Sequence, residues 1–436
     1  MSARGLIVSA TGSGGGKTIV TSALIRVLAR RGHAVSSFKV GPDYIDGSYH
    51  AAASGRASYN IDLWAMRPAT ARAAFRRCSD GADLVIGEGV MGLFDASLSG
   101  EGSTADVARF LDLPVVLVID VTGQAQSVAA TVAGFRDHRP DIDIAGVILN
   151  RTAGNTHREM LAGALEGVAT VFGHIDRDDR LVVAHRHLGL VQAHDGDPGI
   201  IDEAATRVAA SVDVDSMVAL ARPVAVTDGA GPVPMAPPGQ RIAVACDCAF
   251  SFLYASLTET WRDAGAEIVV FSPLADEPPD ATADAVYLPG GYPELHAGRL
   301  AASQTFLTGL RGAADRGCVI YGECGGYMVL GQRLTDMEGH THAMAGLLPV
   351  TISMHAPRRH LGYRRMVLAS NGPLGKAGST WRGHEFHYAC ETSPAAPPLF
   401  FATDANGREL GASGAVNGTV AASFMHIIDC EEGPAS

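Results

Sequence analysis

An α/β protein with two mostly parallel sheets is the fold class predicted by three observations. Short apolar runs alternate with segments rich in alanine, leucine and arginine, the rhythm of strands joined by crossover helices. A stretch crowded with proline and glycine, Arg222–Gln240, interrupts that rhythm once, and it resumes afterwards. At 436 residues the chain is also too long for one ordinary core. The expected division is therefore 1–221, a linker over 222–240, and 241–436.

In the first part, Leu6–Ala10 is the opening strand, followed by a glycine loop and a helix that begins near Lys17. Further strands are expected at Ala34–Val40, Leu84–Gly87, Val115–Asp120 and Ile144–Leu149. In the loop Ala10-Thr11-Gly12-Ser13-Gly14-Gly15-Gly16-Lys17-Thr18, Gly12, Gly14, Gly15 and Gly16 permit close turns. Successive backbone N–H groups then point inward at phosphate oxygens. Lys17 reaches phosphate charge, and the Thr18 hydroxyl is suited to a bound magnesium ion. Thr11 stands where the simple P-loop pattern has its first glycine, so the loop is a variant.

Lys39, in Phe38–Asp46, lies at a strand end ahead of Asp43 and Asp46. Lysine beside paired acids combines substrate neutralisation with metal binding, although both acids also suit turn caps. Glu88 and Asp95 sit after another strand, where carboxylates ligate magnesium directly or through water. Thr18, Asp46 and Glu88 form the expected metal set; Asp43 and Asp95 join Asp46 and Glu88 as substrate or magnesium contacts.

In the second part, strands are expected at Ile242–Cys246, Ile268–Phe271, Ala285–Leu288 and Val319–Tyr321. No regular period is visible over Gly346–Tyr363, and Trp381–Tyr388 is a short polar and aromatic cluster. Cys324, in Gly322-Glu323-Cys324-Gly325-Gly326, follows an apolar run and is flanked by small residues. That is the pattern of a nucleophile elbow, a sharp strand-to-helix turn that presents the sulfur. Gly325, with Gly290 and Gly291 of Pro289–Glu294, is placed to form an oxyanion hole. His426 is the expected base for the thiol. His384, Glu385 and His387 suit substrate contact or structural roles better than a zinc site, lacking a closed coordination shell. Arg358, Arg359, Arg364 and Arg365 read either as carboxylate attractors or as a solvated basic face.

Formal charge is −12, from 46 acidic and 34 basic side chains, and no basic tract offsets it. No nucleic-acid partner is expected. No apolar run is long enough to span a bilayer, and no basic leader precedes a secretory core, so a cytoplasmic protein without membrane attachment is expected. Seven cysteines, an odd number in a long chain, do not make a disulfide framework.

The glycine loop, Phe38–His50, Glu88–Asp95, Asp120–Ser127 and Ile148–Arg151 resemble the ATP-dependent amidoligases related to dethiobiotin synthetase. Among these the cobyrinic and hydrogenobyrinic acid a,c-diamide synthases are most similar. The resemblance continues through the cysteine and late histidine segments, where the chain resembles class I glutamine amidotransferases. It implies a P-loop-like synthetase domain and a flavodoxin-like amidotransferase domain. It also implies magnesium as cofactor, ATP and L-glutamine as cosubstrates, and a corrinoid small molecule as substrate. Lys17, Thr18 and Lys39 would then contact ATP, and Asn150 would face adenine. The implied reaction is sequential amidation of the a and c acetate carboxylates of hydrogenobyrinic acid in cobalamin biosynthesis. Cobyrinic acid as substrate, cobyric acid synthesis, and a nucleotide-regulated binding protein without catalysis are the alternatives. A homodimer is left open. Familiar class I members carry an acid two residues after the histidine, where this chain has Ile428. The resemblance therefore implies a Cys–His pair with its orienting group unassigned.

Overall fold

The computed structural model describes residues 3–181, 185–186, 189–190, 192–193, 195–197, 199–225, 231–392 and 396–431. Residues 226–230 of the expected linker and 432–436 of the expected second domain lie outside the described residues. The chain divides into two units, one of Met1–Trp64 with Ala71–Ala230 and one of Ala65–Thr70 with Gly231–Ser436.

The first unit is built on β1 (Arg4–Ala10), β2 (Val35–Val40), β3 (Ser58–Ile61), β4 (Leu84–Glu88), β5 (Val115–Asp120), β6 (Ile144–Thr152) and β7 (Val171–Asp176). Their order is β3-β2-β4-β1-β5-β6-β7, with every neighbouring pair parallel. Unbroken apolar runs such as Val115–Ile119 suit strands buried on both faces. Arg222–Pro223, expected within the linker, instead pairs antiparallel with the start of β1. Helix α1 (Lys17–Arg30) follows the glycine loop, and α2 (Ile45–Ser54) follows β2. β3 is an addition to the elements expected from the sequence.

The second unit carries β8 (Arg241–Ala245), β9 (Glu267–Phe271), β10 (Ala285–Leu288), β11 (Val319–Glu323), β12 (His360–Leu368) and β13 (Thr380–His387). After them come β14 (Phe400–Asp404), β15 (Glu409–Ser413), β16 (Ala415–Asn417), β17 (Val420–Ser423) and β18 (His426–Cys430). The main sheet runs β9-β8-β10-β11-β17-β16, parallel except at β16. Its second-first-third-fourth order is the flavodoxin-like winding, which places ligands beyond the carboxyl ends of the strands. A separate antiparallel sheet, β15-β14-β12-β13-β18, takes in the Trp381–Tyr388 cluster, the end of the stretch without a visible period, and segments that carry no assignment from the sequence. Its last strand begins at His426. Among the described residues, no helix is long and apolar enough to cross a membrane.

Candidate active site

In the first unit the functional groups gather at the carboxyl ends of adjacent strands. Gly16 adopts φ 86°, and the Asn150 side-chain nitrogen occupies the space a Cβ at that position would take. Backbone conformation and packing both demand glycine there. Asn150 Nδ2 donates to the Gly15 carbonyl at 2.8 Å, while its Oδ1 accepts from the Arg151 N–H at 3.0 Å. Asn150 thus braces the glycine loop from β6, a role that the expected contact with adenine did not include.

The buried Lys17 ammonium donates to the carbonyls of Gly12, at 3.1 Å, and Met91. Burial, reinforced by the nearby charge of Lys39, lowers its pKa to about 8. Glu88, fully buried at the end of β4, accepts from Thr18 Oγ1 at 2.9 Å and Lys39 Nζ at 2.8 Å. Lys39 also meets Asp46 Oδ2 at 2.6 Å and donates to the Gly89 carbonyl at 2.9 Å. The sheet register makes this possible, since Lys39 of β2 stands directly beside Glu88 of β4. Burial opposes ionisation of Glu88, but Lys39 and His50 outweigh it and hold the carboxyl well below its usual range. Asp46 is shifted the other way. Burial and Asp43 push it up to about 7 against the pull of Lys39.

Thr18, Lys39, Asp46 and Glu88 are therefore one connected group. Hydroxyl and carboxylate oxygens of this kind are the donors that magnesium takes, and the expected metal set fits it chemically. Asp43 and Asp95 do different work. Asp43 Oδ1 accepts from the Ile45 and Asp46 N–H groups at 2.7 and 3.1 Å, capping the start of α2. Asp95 Oδ2 accepts from the Gly92 N–H at 2.7 Å and closes the turn after β4. Both carboxylates fix backbone, and for Asp43 this is the capping role that stood beside substrate or metal contact.

In the second unit, β11 ends at Glu323 and the next residue, Cys324, turns the chain into the helix Gly325–Leu330. Cys324 has φ 48° and ψ −100°, an unfavourable conformation for a residue with a side chain. Its N–H donates to the Ser423 carbonyl at 2.8 Å, which ties the turn to β17. Ser423 lies three residues before His426, so the same contact brings the histidine to the cysteine. A Cβ built on Gly290 would lie 3.2 Å from Cys324 Cβ and 2.5 Å from His426 Cε1. Gly290 therefore lies between nucleophile and base, and no other residue fits. One on Gly325 would lie 3.1 Å from the Gly291 nitrogen, so the expected oxyanion donors converge as well. Cys324 is only 1% exposed. Burial, then the neighbouring Glu294 charge, pushes its thiol far up, so a base must take the proton before sulfur can attack.

Two family models match the chain. Residues 6–188 match the CobQ/CobB/MinD/ParA nucleotide binding domain, and residues 241–432 match the CobB/CobQ-like glutamine amidotransferase domain. A protein of Sinorhizobium sp named hydrogenobyrinate a,c-diamide synthase is 49% identical over 435 residues, covering 98% of each chain. Proteins of that name from Brucella suis and Agrobacterium fabrum are 49% and 47% identical, each over 98% of this chain and 98% and 99% of their own. The chain belongs to the hydrogenobyrinate a,c-diamide synthase family. It is thus a glutamine-hydrolysing, ATP-dependent ligase by family, with the two domains expected of it.

In this synthase family member His50 lies within a site without having been singled out from the sequence, and several residues that were singled out have partners the sequence did not show. His50 is fully buried on α2 and donates from Nε2 to Glu88 Oε2 at 2.6 Å, while its Nδ1 has no hydrogen-bond partner among the described residues. His384 stacks on His426 with ring centroids 4.8 Å apart and planes 9° from parallel. Burial, aided by His426 and Arg364, drives its pKa well down, so the stacking partner is neutral. Arg364, one of the residues read as a basic face, is buried and donates to Glu385 Oε2 at 2.8 Å. Glu385 also accepts from His387 Nε2 at 2.8 Å. Burial opposes its charge, but His387 and Arg364 bring it down to about 2. Arg364, Glu385 and His387 are accordingly an ion-paired group within the sheet that carries His426. Asp429 is accounted for as well. Arg67 grips it with Nε at 3.0 Å and Nη2 at 2.7 Å, and the Arg67 N–H adds a third bond at 2.8 Å.

Proposed function

We propose that this protein amidates the a and c acetate carboxylates of hydrogenobyrinic acid in turn, using ATP and glutamine, in cobalamin biosynthesis. The observation that carries this reading is one chain holding both a phosphate loop set against Lys39–Asp46–Glu88 and a strained cysteine beside a histidine. The substrate follows from the names of relatives that are nearly half identical along the whole chain. Cytoplasmic location accords with a biosynthetic role of this kind.

Hydroxide is a poor leaving group, so a free carboxylate does not accept ammonia directly. Transfer of the ATP γ-phosphoryl group to a carboxylate oxygen makes an acyl phosphate, from which phosphate departs when nitrogen attacks. In that step the loop N–H groups and Lys17 hold the phosphates, and Lys39 offsets charge on the transferring group. Thr18, Glu88 and Asp46 are the residues that would hold magnesium, which when bound neutralises phosphate charge. His50 keeps Glu88 oriented. Nitrogen comes from glutamine. His426 takes the Cys324 proton, sulfur attacks the carboxamide carbon, and the N–H groups of Gly325 and Gly291 stabilise the oxyanion. Ammonia leaves with a proton returned from His426, and water then releases glutamate.

The decisive assay gives the purified protein magnesium ATP, glutamine and either hydrogenobyrinic acid or its cobalt-containing counterpart. Mass spectrometry should find two carboxamides on the cobalt-free ring, located by fragmentation to the a and c side chains. ADP release with no carboxamide on either ring would refute the reading.

Proton binding at Lys17 gives a second test. With its pKa near 8, the ammonium is lost as pH rises from 7 to 9. Asp46, near 7, gains negative charge over the lower part of that range. Both changes disfavour a polyanion. Metal-free ATP should therefore bind about tenfold more weakly at pH 9 than at pH 7, measured by calorimetric titration. Lys17→Ala should bind weakly throughout, with a shallower pH dependence.

A further inference from the structure

Familiar class I amidotransferases place the histidine's acid two positions further along the chain. Ile428 holds that position here, and Asp429 beyond it is engaged by Arg67. The acid nearest to the imidazole comes from elsewhere. Glu323, the residue immediately before the nucleophile, has its Oε2 3.7 Å from His426 Nδ1, and both side chains are almost completely buried. We infer that Glu323 is the positioning residue for His426, completing a Cys324–His426–Glu323 relay in which nucleophile and acid are chain neighbours.

The surroundings of Glu323 suit that task. Tyr287 Oη donates to Oε2 at 2.9 Å, Tyr321 Oη donates to Oε1 at 3.0 Å, and the Ile427 N–H donates to Oε1 at 3.1 Å. Three donors from β10, β11 and β18 fix the direction of the carboxylate. The two tyrosine rings stack 5.9 Å apart, 11° from parallel, and Trp261 packs edge-on against Tyr287. Oε2 retains a lone pair toward Nδ1. At 3.7 Å the contact is an ion-pair distance rather than a hydrogen bond, and such contacts shorten when substrate engages the site.

The opposite edge of the same ring faces Cys324 across Gly290, where Nε2 is 3.3 Å from the position a Gly290 Cβ would take. Glu323 thus favours the tautomer with its proton on Nδ1, leaving Nε2 free to accept from sulfur. The proton moves from Cys324 Sγ to Nε2, and Glu323 remains ionised beside the imidazolium. Neutral His384 on the ring face adds no repulsion. Glu294, Glu323 and Glu385 are the acids whose charge reaches Cys324, and all three act directly against thiolate formation. The contribution of Glu323 to sulfur attack therefore comes through the histidine it positions.

The inference rests on the glutaminase role proposed for Cys324, and its test separates the two. Glu323→Gln and Glu323→Asp are compared with the unmodified protein for glutamine hydrolysis and for iodoacetamide alkylation of Cys324 across pH. Glu323→Gln should lose at least about tenfold in kcat with little change in KM, and its alkylation profile should move about one pH unit upward. Glu323→Asp should recover much of that loss. Ammonia-supported amidation and the melting temperature report whether each variant is folded. An unmoved profile in Glu323→Gln overturns the inference. If Glu323→Gln does not fold, Glu323→Ala takes its place with the same expected shift, and an unmoved profile there overturns it. Absence of glutamine hydrolysis in the unmodified protein would instead refute the glutaminase role itself.

Discussion

Cys324→Ala should abolish glutamine-supported amidation while amidation from added ammonia continues. The sulfur is the atom that the turn at φ 48° presents, and Gly290 lies between Cys324 and His426. Loss of an activated nucleophile removes the covalent route altogether, so the glutamine-supported rate should fall by about 10³-fold or more. Activation of the carboxylate uses the other group of residues, which this substitution leaves intact. With saturating ammonia at alkaline pH, turnover should therefore remain within about twofold of the unmodified protein. Product is read by mass spectrometry and ammonia release by a coupled assay. Equal loss with both nitrogen donors would contradict the division of labour.

Lys17→Ala should impair both nitrogen donors equally. Removal of one buried cation from the site of a phosphoryl transfer should lower the rate by about 10²- to 10³-fold. Glutamine hydrolysis without ATP or corrinoid should change far less, because its residues belong to the second unit. The contrast between the two variants is the informative result. One separates the donors and the other does not.

The sequence made the main sheets and both reactive loops readable because their signals are local. Glycine spacing marks the loop before α1, and the apolar run ending at Glu323 marks the turn at Cys324. What stayed hidden was pairing between distant segments. β12 and β13 were not recognised because their alternation is broken by Arg364 and Glu385, charged residues that point inward as a pair. A binary reading sends each of them to solvent, and only the fold shows that each answers the other. β3 has four residues, two of them polar at the level of Ser58 and Asn60, too short for its period to register. Glu323 escaped for a similar reason: an acid at a strand end usually reads as surface. Its tyrosine partners arrive from β10 and β11, and that convergence is a property of the sheet order.

Arg67 has a practical implication for dissecting this enzyme. It lies in Ala65–Thr70, a short piece of the front half that clusters with the rear one. A truncated amidotransferase starting after the proline-rich stretch would keep the fully buried Asp429 but forfeit its guanidinium. An orphaned carboxylate in such a place costs on the order of 3 kcal/mol. Gene fragments cut at the obvious sequence boundary would thus inherit a flaw on the very strand that begins with His426, and co-expressed halves would need that hexapeptide returned to its neighbour.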